Sequence, residues 1–371
     1  MHTIITIAIL IWIFLLIIIY VGWNNLKEYK CIYNNIKEKI NVSVLIPFRN
    51  EEKNLERLIN TLSTQTYPAE NIEVIFINDH STDNSVDLLK KMTKNKDNFK
   101  ILHLNDKLHG KKQAILKGIS YSKNNLIILT DADAYLQAQW IETIVSYFQS
   151  NNFPDIIIGP VDYIEKNSLF SKITRIEFLS LIISGMSFAQ LKKPIFANSI
   201  NLTFKKELFE NNKKDDILKK NIPSGDDTFL IHYAKKKKKR ILPLKSKNAI
   251  VYTNNPDTIK EFFLQRSRWA SKVPYYNDIQ SLIIAFIVLS VHIITCLSMI
   301  FFIFSKQYLI TIPLFLKIFA EIIFFNKTLI FFNKNFHINE ILITQIFYPF
   351  YIIITVFLNV FHKNEWKNRK I

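Results

Sequence analysis

The sequence predicts an α/β domain with a mostly parallel sheet, carried between N-terminal and C-terminal transmembrane helices. Three observations predict it. Uncharged apolar runs lie towards both ends of the chain. Short apolar strands alternate with helical patterns in between. Polar residues stand directly after three of those strands.

The chain has 371 residues, too many for one ordinary core. Residues 4–23 contain no charge. As a helix rising ~1.5 Å per residue they cross the ~30 Å hydrocarbon core. A cleaved leader is the poorer reading, because the run is too long, no basic residue precedes it and no small-residue cleavage site follows. Residues 1–24 are therefore read as a retained anchor. Residues 281–304 form a second uncharged run with only His292 ionisable, and 341–361 a third, interrupted by Pro349 alone. Between them, 308–332 is apolar but carries Lys317, Glu321 and Lys327. Lys317 and Glu321 are four apart and can pair on a helix. The C-terminal membrane region, 280–362, thus has two or three helices, and a basic tail, 363–371, follows it. Two spans keep that tail on the side of the domain, whereas three put it opposite.

Residues 42–277 read as the domain between the anchors. "VSVLIPF" at 42–48 is a strand and 51–63 an amphipathic helix. "EVIFIND" at 73–79 is again a strand, followed by a helix over 83–94. "KILHLN" at 100–105, a helix over 113–122 and "NLIILTD" at 125–131 complete the series. Continuous apolar strands alternating with helices imply a sheet covered on both faces. Ligands of such sheets collect at the carboxyl ends of the strands. Arg49-Asn50-Glu51, Asp79-His80-Ser81 and Asp131-Ala132-Asp133 stand there. After residue 153 the rhythm is lost, and 169–191 reads as one apolar helix on the membrane surface or lining an acceptor site.

The formal charge of +17 is concentrated in Lys-rich stretches such as 235–240. Beside membrane spans these read as solvated or lipid-facing flanks rather than as a nucleic-acid surface. Lys27, Lys30, Lys37 and Lys39 after the first anchor put the domain in the cytoplasm. Two cysteines, Cys31 and Cys296, leave no disulfide framework or zinc set.

Four groups carry chemistry. Asp131 and Asp133 end an apolar strand, where a divalent cation such as Mg2+ or Mn2+ is the usual partner of paired carboxylates. Gly225-Asp226-Asp227 precedes a helical pattern, so these carboxylates serve either as caps or as a general base. In "QRSRW", Arg266 and Arg268 can grip a diphosphate, and Trp269 offers a flat apolar face. The alternative is an interfacial anchor. Lys111, after Gly110, stands at a helix start, where phosphate contacts occur.

Together, "VSVLIPFRNEE", "EVIFINDHSTDNS", "GKKQA", "TDADA", "SGDD" and "QRSRW" occur in the order seen in family 2 inverting glycosyltransferases of the GT-A nucleotide-sugar fold. The resemblance runs over 42–272, about two-thirds of the chain. One anchor before the domain and several after it resemble the membrane-integrated branch, which includes cellulose- and hyaluronan-synthase-like enzymes and lipid or carotenoid glucosyltransferases. The resemblance implies that Pro47, Glu51 and Asp79 hold the nucleoside and that Lys111 lies near the phosphates. Asp131 would contact nucleotide or metal and Asp133 would ligate the metal, Mg2+ or Mn2+. Asp227 matches the catalytic base, with Asp226 beside it. Gln265, Arg266, Arg268 and Trp269 match a Q-x-x-R-W signature at the diphosphate and acceptor. The stretch 197–209 resembles one that contacts donor sugar or acceptor, but it departs from the usual pattern at Phe196-Ala197-Asn198-Ser199.

The expected activity is metal-dependent, inverting transfer from a nucleotide sugar, taken as a UDP-sugar, to a hydroxyl of a lipid or membrane-embedded acceptor. The expected place is a multi-pass membrane site with the domain cytoplasmic and no nucleic-acid partner. A processive polysaccharide synthase is the alternative, although the C-terminal membrane region is short for a polymer channel. A non-catalytic scaffold would have lost one of Asp131, Asp133 or Asp227, and all are present. A two-metal phosphohydrolase would need more ligands than the sequence clusters.

Overall fold

The computed structural model describes residues 2–31, 38–209, 217–219, 222, 224–305, 308, 311–332, 337–361, 365–366 and 369–370. Lys37 and most of the basic tail lie outside them. In chain order the main elements are α1 (His2–Asn25), β1 (Val42–Phe48), α2 (Glu52–Ser63), β2 (Ile72–Asn78), α3 (Ser85–Thr93), β3 (Phe99–His103) and α4 (Lys111–Tyr121). There follow β4 (Leu126–Leu129), α5 (Trp140–Ser150), β5 (Ile156–Ile158), β6 (Val161–Tyr163), α6 (Leu169–Gln190), β7 (Leu202–Lys205), α7 (Asp226–Lys236), β8 (Ile241–Pro243) and β9 (Val251–Thr253). The chain continues through α8 (Ile259–Ala270), α9 (Ile279–Ser305), α10 (Thr311–Thr328) and α11 (Ile338–Phe361).

The chain divides into two compact units. The sheet unit comprises Leu26–Ile164 and Ala189–Asn254. Its seven-stranded sheet has the order β3-β2-β1-β4-β7-β5-β8. β1, β2, β3 and β4 run parallel to one another, β7 runs antiparallel to β4 and β5, and β8 is parallel to β5. Every residue of β1, β2 and β4 is buried, as strands covered on both faces require. The parallel register, Val42 opposite Ile72 and Leu126, brings the residues after β1, β2 and β4 to one rim. Below it, Val44, Ile46, Phe76, Leu55, Leu58 and Trp140 belong to one buried cluster.

A small parallel pair, β6 with β9, adds a second layer. Asn201 pins the corner before it. Its Nδ2 donates to Pro160 O and Ala249 O, each at 2.8 Å, and its Oδ1 accepts from Trp140 Nε1 at 3.1 Å. Gly159 must be a glycine here, because a Cβ would come within 2.3 Å of the Asn201 side chain.

The helical unit comprises Met1–Asn25, Glu165–Phe188 and Asn255–Ile371. The segments 165–188 and 255–277, which sequence bounds place in one domain, are thus grouped with the terminal helices. Charge explains the grouping: Arg266 of α8 pairs with Glu177 of α6, both almost fully buried. Among the described residues, three helices are long and apolar enough to cross a membrane, namely His2–Asn25, Ile279–Phe304 and Ile338–Asn359. On α1, Ile5, Ile9, Trp12, Leu16, Ile19 and Trp23 are buried, while Ile7, Leu10, Phe14, Ile17 and Val21 stay exposed. That is an apolar helix with one face on protein and the others left for hydrocarbon. The expected Lys317–Glu321 pair forms at 2.7 Å and is buried.

Candidate active site

The rim of the sheet unit is assembled from loops that hold one another. Arg49 Nη1 donates to Asp79 O and His80 O at 2.8 and 2.9 Å. Asn50 N donates to Ser81 Oγ at 3.0 Å, and Thr82 N to Asn50 Oδ1 at 2.8 Å. Glu51 begins α2; its N–H meets Ser85 Oγ at 2.8 Å and its carboxylate accepts from Asn54 Nδ2 at 2.7 Å. Pro47 sits in β1 opposite Ile77, where a ring without an N–H closes the last turn of strand before the loop. Pro47, Glu51 and Asp79 therefore share this rim.

Asp79 is buried, and its Oδ2 accepts the N–H of Gly110 at 3.0 Å. Gly110 adopts φ 94, a conformation that favours glycine, and α4 starts directly after it. The next residue is Lys111. Its ammonium lies 2.5 Å from Asp131 Oδ1 and donates to Ser199 Oγ at 2.8 Å. Burial depresses the Lys111 pKa, but Asp131, Asp226 and Asp227 outweigh it and hold the group above the ordinary lysine range. It is a cation at any working pH.

Asp226 and Asp227 occupy the first turn of α7, after Gly225 in the left-handed conformation. The helix N-terminus favours negative charge there. Asp227 is half-buried and accepts from Thr228 N at 2.6 Å and Thr228 Oγ1 at 3.1 Å. Asp226 is buried, and that burial pushes its carboxyl up; Lys111 opposes the shift and Asp227 adds to it. Asp226 Oδ2 is a buried oxygen with no hydrogen-bond donor among the described residues. Asp133 follows on the same loop as Asp131; Thr253 Oγ1 of β9 donates to its Oδ2 at 2.9 Å, and Arg57 Nη2 holds its carbonyl at 2.9 Å.

The donor set fits a hard divalent cation. Carboxylates outnumber the ammonium, Asp226 Oδ2 has no donor among the described residues, and Mg2+ or Mn2+ takes oxygen ligands of this kind. Asp131 and Asp133 would hold it. Lys112, beside Lys111, turns elsewhere: its Nζ donates to Lys219 O at 3.1 Å and lies over the Phe229 ring.

Gln265, Arg266, Arg268 and Trp269 belong to the helical unit. The Arg266 guanidinium binds both oxygens of Glu177, with Nε 3.0 Å from each, and lies over the rings of Phe262 and Trp269. It also donates to Gln265 Oε1. Glu177 in turn accepts from Tyr351 Oη at 2.8 Å. Ser199 and Thr253 are the site residues that sequence reading left without a role. Only the position of Ser199 inside the 197–209 stretch signalled it.

Residues 43–212 match the family model for glycosyl transferase family 2. The chain carries a family 2 glycosyltransferase domain. Its GT-A architecture is also that of a mannosyltransferase from Pyrobaculum calidifontis, solved with GDP-Man and Mn2+. The likeness covers 98% of this chain and 100% of that one at a TM-score of 0.56 and 15% identity, and it bears on fold alone. Among curated proteins, a dolichyl N-acetyl-alpha-D-glucosaminyl phosphate 3-beta-D-2,3-diacetamido-2,3-dideoxy-beta-D-glucuronosyltransferase of Methanococcus voltae is 24% identical over 163 residues, 43% of this chain and 50% of the relative. A probable glycosyltransferase of Bacillus subtilis, YdaM, is 32% identical over 89 residues, 22% of this chain and 21% of the relative. The chain therefore spans about half the length of the first relative and a fifth of the second.

Proposed function

We propose that this chain transfers a sugar from a nucleotide-sugar donor to a hydroxyl of a lipid or membrane-embedded acceptor, inverting the anomeric centre. The observation that carries the reading is the Lys111–Asp131–Asp226–Asp227 cluster in a family 2 domain. Asp227 takes the acceptor proton; being half-buried, it can reach a substrate, and Thr228 fixes one of its oxygens. The freed oxygen attacks the anomeric carbon opposite the leaving diphosphate, so one displacement inverts the centre. Lys111, held by Asp131 and Ser199, faces the charge that develops on the diphosphate. Asp131 and Asp133 would hold Mg2+ or Mn2+, which would supply further neutralisation of that charge. Pro47, Glu51 and Asp79 hold the nucleoside, taken as uridine.

One observation favours a second assignment of the base. Asp226 is the carboxyl raised by burial, and a base is most effective with its pKa nearer the working pH. Its burial argues the other way, so Asp227 is preferred.

The acceptor class rests on the membrane-capable helices and on the name of the Methanococcus relative, which acts on a dolichyl phosphate-linked sugar. A processive synthase gains little from Arg266, whose guanidinium is already engaged by Glu177. The packing of α10 supports a third C-terminal span. Trp12, near the middle of α1, donates from Nε1 to Glu321 Oε1 at 2.6 Å, and Lys317 also reaches Gln345 of α11 at 3.2 Å. Lys317 and Glu321 of α10 are thus turned inward at the depth of the middle of α1, while Ile312, Phe315, Phe319 and Ile323 face outward and Lys327 is exposed at the helix end. At ~1.5 Å per residue α10 is about 27 Å long, near the thickness of the hydrocarbon core. A cysteine placed at Lys370 would then be labelled only from the side opposite the domain; labelling from the domain side would restore the two-span alternative.

The function is tested with membranes containing the protein, Mg2+ or Mn2+ and a panel of labelled UDP- and GDP-sugars. Label entering the organic phase and vanishing in Asp227→Asn supports lipid glycosylation. Label in precipitable polymer supports the synthase. No Asp227-dependent transfer from any donor contradicts the reading.

A further inference from the structure

The carboxyl end of β2 carries a second cluster of metal-binding groups, distinct from Asp131 and Asp133. His80 follows Asp79 in left-handed backbone at φ 55, and its Nδ1 lies 3.1 Å from Asp79 Oδ1. His109, one residue before Gly110, brings its ring centroid to 4.6 Å from that of His80. One ligand atom from each of Asp79, His80 and His109 lies within 4.8 Å of the other two. On the far side of the His80 ring, Nε2 is buried and has no hydrogen-bond partner among the described residues. Asp106 Oδ1 stands 3.8 Å from it.

Zinc binds imidazole nitrogen and carboxylate oxygen at about 2.0–2.2 Å, which puts neighbouring ligands of a tetrahedral site roughly 3.3–3.5 Å apart. The 3.1 Å between His80 Nδ1 and Asp79 Oδ1 is close to that, and the exposed His109, within 4.8 Å of both, closes the remainder by a side-chain rotation. A ligating histidine commonly gives its other N–H to a carboxylate, which fixes the ring and raises its basicity. Asp106, exposed and 3.8 Å from Nε2, comes within hydrogen-bond reach by a small side-chain rotation. Two imidazoles and one carboxylate suit zinc and its transition-metal neighbours, whereas Asp131 and Asp133 are an all-oxygen set for Mg2+ or Mn2+.

We propose that Asp79, His80 and His109 form a zinc-class metal site, with His80 Nδ1 as ligand and Asp106 receiving its Nε2–H. The consequence for the domain rests on the proposed function. If Asp79 holds the nucleoside, zinc and donor exclude one another, and zinc at this rim inhibits transfer by competing with the nucleotide sugar.

The test is a Zn2+ titration of the purified full chain in saturating Mg2+, with free Zn2+ read by a chromogenic indicator. One Zn2+ binds to the wild type and to Asp133→Asn, and this binding is lost in His109→Ala and in His80→Ala. Because His109 is exposed, its replacement leaves the fold intact. Undiminished Zn2+ binding by His109→Ala overturns the site, and so does loss of binding in Asp133→Asn, which would assign the ion to the carboxylate pair. A second arm measures transfer: Zn2+ raises the apparent KM for donor in the wild type and not in His109→Ala. Binding that His109→Ala abolishes, without any such rise, upholds the metal site and counts instead against Asp79 as a nucleoside contact.

Discussion

Glu73 and Asp226 expose the same share of their surface, 8%, although Asp226 lies deeper, and their carboxyls shift in opposite directions. Glu73 stands at the amino end of β2. Burial pushes its pKa up, but Lys100 at 2.6 Å, Ser43 Oγ at 2.6 Å and the Lys123 N–H at 3.0 Å overcome that and hold it below the ordinary range. Asp226 stands beside Asp131 and Lys111 at the other rim. There burial wins, because Lys111 is shared among Asp131, Asp226 and Asp227, Lys112 adds less, and Asp226 Oδ2 has no donor among the described residues. A carboxylate that the fold satisfies is architecture. A carboxylate that the fold leaves wanting is where a ligand or a reaction completes the accounting of charge. The helical unit follows the first pattern: Lys317 with Glu321, and Arg266 with Glu177, are matched charge for charge and hydrogen-bonded further.

The comparison can be broken most severely at Asp227. Asp227→Asn should lower transfer on the order of 10²–10⁴-fold, the usual contribution of a general base, with thermal unfolding unchanged. A loss of folding instead would move Asp227 into the architectural class. Next in size is Glu177→Gln in the helical unit. Stranding the buried Arg266 charge should cost about 3–5 kcal/mol, seen as a lower Tm in detergent. Replacing both Lys317 and Glu321 by apolar residues of similar volume strands no charge and should cost less, about 1–3 kcal/mol, because Trp12 Nε1 loses its acceptor.

Glu73→Gln should destabilise the sheet unit by about 1–3 kcal/mol at neutral pH, since the half-buried Lys100 loses its counter-charge and the hydrogen bonds from Ser43 and Lys123 lose a charged acceptor. The sign with pH follows from its lowered pKa. The contribution is present above the unfolded carboxylate pKa and is lost as pH falls through the folded value, so wild type and variant converge in acid. Asp226→Asn, the smallest effect, should run the other way. A raised folded pKa means that the ionised form is penalised; stability is lost as pH rises from the unfolded pKa through the folded one. The variant should therefore unfold at a higher temperature than wild type at neutral pH while transferring sugar more slowly. A lower Tm would show that the Lys111 attraction exceeds the cost of burial.

Much of this was legible in the sequence because its causes are local. β1, β2, β3 and β4 are apolar runs ended by polar loops, and the observed strands fall within two residues of the expected bounds. Asp131 with Asp133, and Asp226 with Asp227, announce themselves by spacing. The Lys317–Glu321 pair was foreseeable because four residues make one helical step. The rest depends on distance along the chain. β5, β6, β8 and β9 are three residues each, too short for periodicity to register. Ser199 reaches Lys111 from 88 residues away, and Thr253 reaches Asp133 from 120. Glu177 lies 89 residues from Arg266, so nothing in "QRSRW" indicated that the first arginine is consumed by a buried pair.

The most direct measurement sets the two rims against each other: initial rates of nucleotide-sugar-dependent transfer for wild type, Asp227→Asn and Glu73→Gln, in the same membranes and normalised to folded protein. Glu73→Gln, although less stable, should transfer at the wild-type rate per folded molecule, whereas Asp227→Asn should be slowed on the order of 10²–10⁴-fold and stay fully folded. Transfer that survives undiminished in Asp227→Asn and fails in Glu73→Gln would contradict that.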